Sequence, residues 1–204
     1  MGRLRRRTTV GAGLVLIRKL DIIANRKAAK WSRAELLGRA AWELIGQLFF
    51  RCSPRPMWGW RRGLLRLFGA KIGAGVHIHP HAKITIPWNL AVADQSAIGD
   101  GAIIYNLGRI SIGERTTISQ YAHLCAGSHN HKSINFELLK LQIGIGDDVW
   151  ICADAFVGPG VVVGDHAIVG ARAVAIRDIP PGVTVVGNPA RAIGAHSCSE
   201  GRTS

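Results

Sequence analysis

From Ile145 onward the chain reads IGDDVW ICADAF VGPGVV VGDHAI VGARAV, and an aliphatic residue returns at positions 145, 151, 157, 163 and 169. Neither a 3.6-residue helix nor the two-residue alternation of a hairpin strand yields a period of six. Four places after each aliphatic residue stands a smaller one, Val149, Ala155, Val161, Ala167 and Ala173, and glycine follows most of the aliphatic positions directly. This spacing predicts a triangular coil: each hexapeptide gives one short strand and one corner, the aliphatic side chain fills the interior, and the small residue clears the turn. Three hexapeptides close one coil. The same register runs earlier through Ile72, Ile78 and Ile84, then Val92, Ile98, Ile104 and Ile110, then Ile112, Ile118 and Leu124, slipping by two residues at Leu90/Val92 and at Ile110/Ile112. Coils are therefore expected over about residues 72 to 186, with parallel strands stacked ~4.8 Å apart. The fold class is an all-β solenoid whose coils are supported only by their neighbours. Its two ends are bare sheet edges that need cover.

Before the coils the pattern is helical. RAELLGRAAWELIGQLFF places Leu36, Leu37, Ala40, Ala41, Leu44, Ile45, Leu48 and Phe49 on one apolar face, opposite Arg33, Glu35, Arg39, Glu43 and Gln47. The stretch from Cys52 to Pro56 breaks that helix, and MWGWRRGLLRLFG resumes it with Trp58, Trp60, Leu64, Leu65, Leu67 and Phe68. Two uses fit: a helical cap over the first coil, and attachment to the headgroup zone of an anionic bilayer. The predicted division is a basic N-terminal segment over 1–30, an amphipathic helical cap over 31–71, the β-helix over 72–194 with a loop at 130–143, and a tail over 195–204.

Charge follows the same division. Residues 1 to 71 carry 17 Lys+Arg against 3 Asp+Glu, and residues 72 to 204 carry 9 against 10, so the net +13 lies entirely in the N-terminal third. A basic patch confined to a helical segment argues against a nucleic-acid-binding solenoid. The apolar run from Val10 to Ile17 has the outline of a signal peptide, but it is short, Arg18 and Lys19 follow at once, and no small-residue cleavage site appears. No stretch reaches the ~20 apolar residues that span a bilayer. Cys52, Cys125, Cys152 and Cys198 are widely spaced, so neither a zinc knuckle nor a disulfide framework is indicated, and a reducing cytoplasm fits.

With LLRLFGAKIG, KITIPWNL, ISQYAHLCAGSHNH, the repeat from Ile145 and the VVGNPA turn in place, residues 31 to 194 resemble the hexapeptide-repeat acyltransferases. The likeness is closest to the colanic-acid-type exopolysaccharide O-acetyltransferases. It implies a left-handed parallel β-helix, acetyl-CoA as acyl donor without a metal, a sugar acceptor, a homotrimer with the donor lying in a groove between neighbouring subunits, and a cytoplasmic protein, peripheral at the inner membrane face if residues 1–71 bind lipid. The resemblance makes His129 the general base, and an imidazole suits removal of a proton from a sugar hydroxyl at neutral pH. It places Trp150, Ala153, Ala171 and Arg177 along the donor groove and puts Asn188, Pro189 and Arg191 of the GNPAR turn over the cofactor. Tyr105, Asn106 and Trp88 fall on its acceptor side.

The residues alone leave alternatives open. His129 ends a coil, and the stretch NHKSINFELLKLQ follows it with no hexapeptide register. A loop leaving a rigid coil at a histidine suits a site, here one walling off the acceptor and touching the next subunit, yet an exposed turn histidine bonded to backbone looks the same. The family usually follows this histidine with an acidic residue, whereas this chain has Asn130, which leaves the orientation of the imidazole unaccounted for. Arg177 reads equally as a solvated corner charge, and Tyr105, Asn106 and Trp88 as packing. His77, His79 and His81 suggest a metal but lie on different local facings. Cys125 and Cys152 suit an acyl carrier, or plain packing. The rival functions are a non-enzymatic membrane-surface or scaffold solenoid and, third, a metal-dependent hydratase of the carbonic anhydrase type.

Overall fold

The structure, a computed structural model, describes residues 20 to 195. The run Val10 to Ile17, Arg18, Lys19, Cys198 and the tail past 195 lie outside the described residues. Contacts divide the chain into two units, one of Met1–Lys30 with His129–Leu138, the other of Trp31–Ser128 with Leu139–Ser204. The helices are α1 (Ile22–Lys27), α2 (Arg33–Ala41), α3 (Gln47–Arg51) and α4 (Trp58–Leu67).

The larger unit is the predicted solenoid. Its first face stacks Lys71–Ile72, Leu90–Val92, Ile110–Ile112, Ile143–Ile145 and Val162–Val163, continued by a bridge from Val163 to Ile179. The second face runs from His77–Ile78 through Ala97–Ile98, Thr117–Ile118, Trp150–Ile151 and Ile168–Val169 to Val183–Val186. The third runs from Lys83–Ile84 through Ile103–Tyr105, His123–Cys125 and Phe156–Val157 to Val174–Ala175. Every pairing between these coil strands is parallel and in the register of the aliphatic repeat, with Ile78 beside Ile98, Ile98 beside Ile118 and Ile118 beside Ile151. Those isoleucines are fully buried, and so are Ala155, Ala167 and Ala173, which fill the inner vertices.

At the corners the third residue after each face-filling aliphatic, such as Gln95, Tyr121, Asp148, Asp154 or His166, has φ between +55° and +59°. This left-handed conformation is costly for a side-chain-bearing residue, and glycine holds the same slot at Gly75 and Gly101. Close approach selects glycine at another slot: a Cβ on Gly99 would lie 2.7 Å from the Gln120 nitrogen of the next coil.

The two-residue slips have a structural cause. Ile72, Val92 and Ile112 recur every 20 residues, against 18 between Ile145 and Val163. The extra pair bulges the corner between third and first faces, and Asn106 fills the gap. Fully buried, its Oδ1 accepts from Thr85 N (3.2 Å) and Ile86 N (2.9 Å), while its Nδ2 donates to Ile86 O (2.5 Å).

The starting edge is covered as the sequence requires, largely by arginines. Carbonyls with no preceding strand to donate to them are met from α4: Arg61 Nε donates to Ile78 O (2.6 Å), Arg62 Nη1 to Val76 O (3.0 Å), and Arg66 Nε to Ile72 O (2.9 Å). Trp42 Nε1 donates to Ile84 O (2.8 Å), and its indole sits edge-on to Phe50 and Phe68. At the far edge, Arg191–Ala195 pairs antiparallel with Val183–Val186.

The apolar helix face read from the sequence is not the face that packs. Trp42, Gly46 and Phe50 are buried, whereas Leu36, Leu37, Leu44, Ile45, Leu48 and Phe49 are all more than half exposed. Between α2 and α3, Trp42–Gly46 forms a π-helical turn. Its wider winding shifts the phase of the helix and brings the indole of Trp42 over Gly46, where a Cβ would lie 2.1 Å from the ring. Along α4 Leu65 is buried, but Trp60 and Leu67 are exposed.

Candidate active site

The interruption of the repeat belongs to the smaller unit. His129 ends the strand Gly127–His129, which pairs with Leu138–Lys140, the unit boundary falling within both strands. The coil strands stop at Cys125 and resume with Ile143–Ile145 on the first face, and within this excursion the two-stranded ladder closes on residues 130–137.

The imidazole of His129 is half-buried and held in two ways. Its ring stacks on Phe136, centroids 4.4 Å apart and planes 3° from parallel. Its Nδ1 lies 2.9 Å from the Phe136 carbonyl oxygen. A carbonyl only accepts, so Nδ1 carries the proton in the neutral ring and Nε2 keeps its lone pair. That is the tautomer a general base acting through Nε2 needs. Asn130 does not orient the ring: its Oδ1 accepts from Lys132 N (3.2 Å), and its backbone N–H donates to Glu137 O (2.9 Å). The carbonyl of Phe136 takes the place of a neighbouring carboxylate. Phe136 itself has φ +48°, an unusual conformation for a bulky residue and one common at functional sites.

The donor-groove candidates lie in the larger unit, on two different edges. Trp150 is half exposed on the second face, where its Nε1 donates to Ser119 Oγ (2.9 Å). Ala153 and Ala171 stack in adjacent coils at the corner between second and third faces, the Arg172 N–H donating to Ala153 O (3.0 Å). Asn188 and Pro189, exposed and joined by a cis peptide, follow at the same corner one coil on. Arg177 is exposed beyond the third face and, with Arg191, lines a cleft of about 270 Å³ at the C-terminal end of the coils. Within one chain Arg177 does not lie at the corner of Ala153 and Ala171.

On the acceptor side only Tyr105 is well exposed. Asn106 is a correction: fully buried with its amide engaged on both sides, it belongs to the corner and not to a ligand. Trp88 packs against Gly38 and Gly69, within the seam between α2 and the first coils.

The remaining polar clusters have local partners. His77 stacks on Trp58 at 4.7 Å, His79 meets the same indole edge-on, and His81 Nδ1 lies 2.9 Å from Asp100 Oδ1. Among the described residues no group of three or more His, Cys, Asp or Glu is arranged to hold a metal ion. His123 sits edge-on to Phe156 in the larger unit, and burial holds its pKa below the ordinary histidine value. Burial likewise pushes the Cys152 thiol up, away from the thiolate an acyl carrier requires.

Comparison with known proteins places these features in context. The family model for bacterial transferase hexapeptide (six repeats) matches residues 143–175. Over 149 residues, 73% of this chain and 82% of the relative, the sequence is 45% identical to the Escherichia coli (strain K12) protein named "Putative colanic acid biosynthesis acetyltransferase WcaF". The crystal structure of a maltose O-acetyltransferase from Clostridium difficile 630 superimposes with a TM-score of 0.75 at 22% identity, covering 81% of this chain and 90% of that one. A galactoside acetyltransferase in complex with coenzyme A gives the same TM-score at 24% identity, covering 85% and 88%.

Proposed function

The chain belongs to the hexapeptide-repeat acetyltransferases, and on that premise we propose that it moves an acetyl group from acetyl-CoA to a sugar hydroxyl in exopolysaccharide biosynthesis, with His129 as general base. The observation that carries the base assignment is the Nδ1 contact with the Phe136 carbonyl, which leaves Nε2 as the proton acceptor. In the reaction the acceptor O–H gives its proton to Nε2 as its oxygen attacks the thioester carbon. Backbone N–H groups hold the oxyanion that forms. Collapse breaks the C–S bond, and the coenzyme A thiolate takes the proton back from the imidazolium.

The relatives' names support the donor and acceptor classes: one solved structure holds coenzyme A, and WcaF is named for colanic acid. A homotrimer accounts for the divided groove residues. Ala153 and Ala171 lie at the corner between second and third faces while Arg177 lies at the corner between third and first, and threefold closure sets one edge of a copy against a different edge of the next. Small side chains at 153 and 171 leave room for a pantetheine arm, and an arginine suits a nucleotide phosphate. Tyr105 is retained as an acceptor-side residue.

The outward leucines of α2 and α3, flanked by Arg33, Arg39, Arg51 and Arg55, support peripheral attachment to an anionic membrane at the cytoplasmic face, where lipid-linked sugars are reached. Among the described residues no helix is long and apolar enough to cross a membrane. The test of the whole reading is incubation of the purified protein with labelled acetyl-CoA and a panel of nucleotide-linked and lipid-linked sugars. Label should appear as an alkali-labile ester on one acceptor class. Failure to bind acetyl-CoA at all would favour the scaffold reading.

A further inference from the structure

The segment that the sequence assigns to a basic N-terminal appendage contains α1, and α1 is bonded to the loop that carries His129. Asp21 caps the helix through its Oδ1, which accepts from Ala24 N (2.9 Å), and its own backbone N–H donates to Ile134 O (2.8 Å). One turn on, Asn25 is only 8% exposed although its side chain is polar. Its Nδ2 donates to Asn135 O (2.9 Å) and to Phe136 O (2.5 Å), and its Oδ1 accepts from Lys30 Nζ (2.8 Å). These partners fix the amide's orientation, since two carbonyls require the NH₂ side and an ammonium requires the oxygen.

The carbonyl of Phe136 thus receives two donors, Asn25 Nδ2 and His129 Nδ1. Its direction depends on the left-handed backbone at Phe136, a conformation that a phenylalanine does not hold without support. Asn25 bonds the carbonyls of the two peptide units that flank the Phe136 Cα and so supplies that support. We propose that Asn25 is a positioning residue for acetyl transfer: by holding the Phe136 carbonyl it keeps His129 in the Nδ1–H tautomer with Nε2 free. This rests on the reading of His129 as the base. It makes the N-terminal segment part of the catalytic apparatus, whatever else that segment binds.

The test uses the full-length protein and its Asn25→Ala and Asn25→Asp variants, the second keeping the shape of the side chain but offering no donor to the two carbonyls. Two-bond ¹H–¹⁵N spectra of histidine-labelled protein, with His129 assigned by its loss in His129→Ala, report the tautomer without any acceptor present. Wild type is expected to show a protonated Nδ1 and a bare Nε2, and both variants a mixture. With labelled acetyl-CoA and the acceptor returned by the sugar panel, kcat should fall about tenfold to a hundredfold, a share of the 10²–10⁴ that general-base help is worth. The KM for acetyl-CoA should hold. In the His129→Ala background, Asn25→Ala should cost nothing further, because it acts through the ring. An unchanged His129 tautomer in a folded Asn25 variant overturns the proposal, and so does an equal loss in both backgrounds. Undiminished turnover by His129→Ala alone would instead remove the base reading, and the spectra, which need no turnover, tell the two failures apart.

Discussion

Arg61→Met should destabilise the fold by unsealing the first sheet edge. Arg61 is fully buried, and its guanidinium makes four hydrogen bonds. Nε donates to Ile78 O (2.6 Å), Nη1 to Ser53 Oγ (2.8 Å) and Pro54 O (2.9 Å), and Nη2 to Arg55 O (2.6 Å), while the Trp58 ring lies 4.7 Å from the guanidinium carbon. Methionine keeps much of the stem and removes every donor. Each buried acceptor left unpaired costs ~1–3 kcal/mol. Ile78 and Ser53 are buried and bear that in full, whereas the exposed Pro54 and Arg55 recover part of it from water. Relief of the desolvation that lowers the Arg61 pKa offsets some of the loss. The balance is about 3 kcal/mol, which at ~2–4 °C per kcal/mol for a chain of this size is a fall in Tm of about 6–12 °C. Thermal unfolding at fixed protein concentration reads it, and Arg61→Lys should fall in between. A drop under about 2 °C for Arg61→Met would refute the idea that this residue seals the sheet edge.

Acid stability should depend on His123, whose pKa burial holds below that of the unfolded chain. As pH falls the unfolded state binds its proton first, so stability present above about pH 6.5 is lost below it; His123→Gln should flatten the decline in Tm between pH 7 and 5, and an unaltered slope would contradict this. Sedimentation with vesicles should show binding to anionic but not neutral lipid, weakened by salt and by Leu44→Ser with Leu48→Ser; equal binding to both lipids, or none, counts against the electrostatic attachment. Analytical ultracentrifugation should give three times the mass of one chain, and a fully active monomer would sink the shared groove.

The coils were legible in the sequence because a buried isoleucine every six residues has one geometric solution, and Ile78, Ile98 and Ile118 occupy the interior as read. The corners were less so: Gln95, Tyr121 and His166 carry no mark of the left-handed backbone they adopt, since stacking of whole coils overrides their local preference. Hydropathy showed that α2 and α3 are amphipathic but misassigned the buried face, because a π turn at Trp42–Gly46 is invisible to a fixed 3.6-residue period. Arg61, Arg62 and Arg66 read as net charge, although their donors complete the first coil. Asn106 reads as a ligand residue because nothing in IIYNLGRI reveals that the corner there holds two extra residues. What orients His129 is a backbone carbonyl, which every residue possesses, so the departure at Asn130 left a question that only the conformation of Phe136 answers.

The central claim is that His129 accepts the acceptor's proton, and the most direct measurement is kcat of His129→Ala beside its affinity for acetyl-CoA. The imidazole acts on the acceptor and not on the nucleotide, so kcat should fall by roughly 10² to 10⁴ while acetyl-CoA binding by calorimetry stays as in wild type. The acidic limb of the wild-type pH–rate profile, where the protonated ring has no lone pair to offer, should vanish with it. A His129→Ala enzyme with near-normal kcat on its true acceptor and an intact acidic limb would contradict the account.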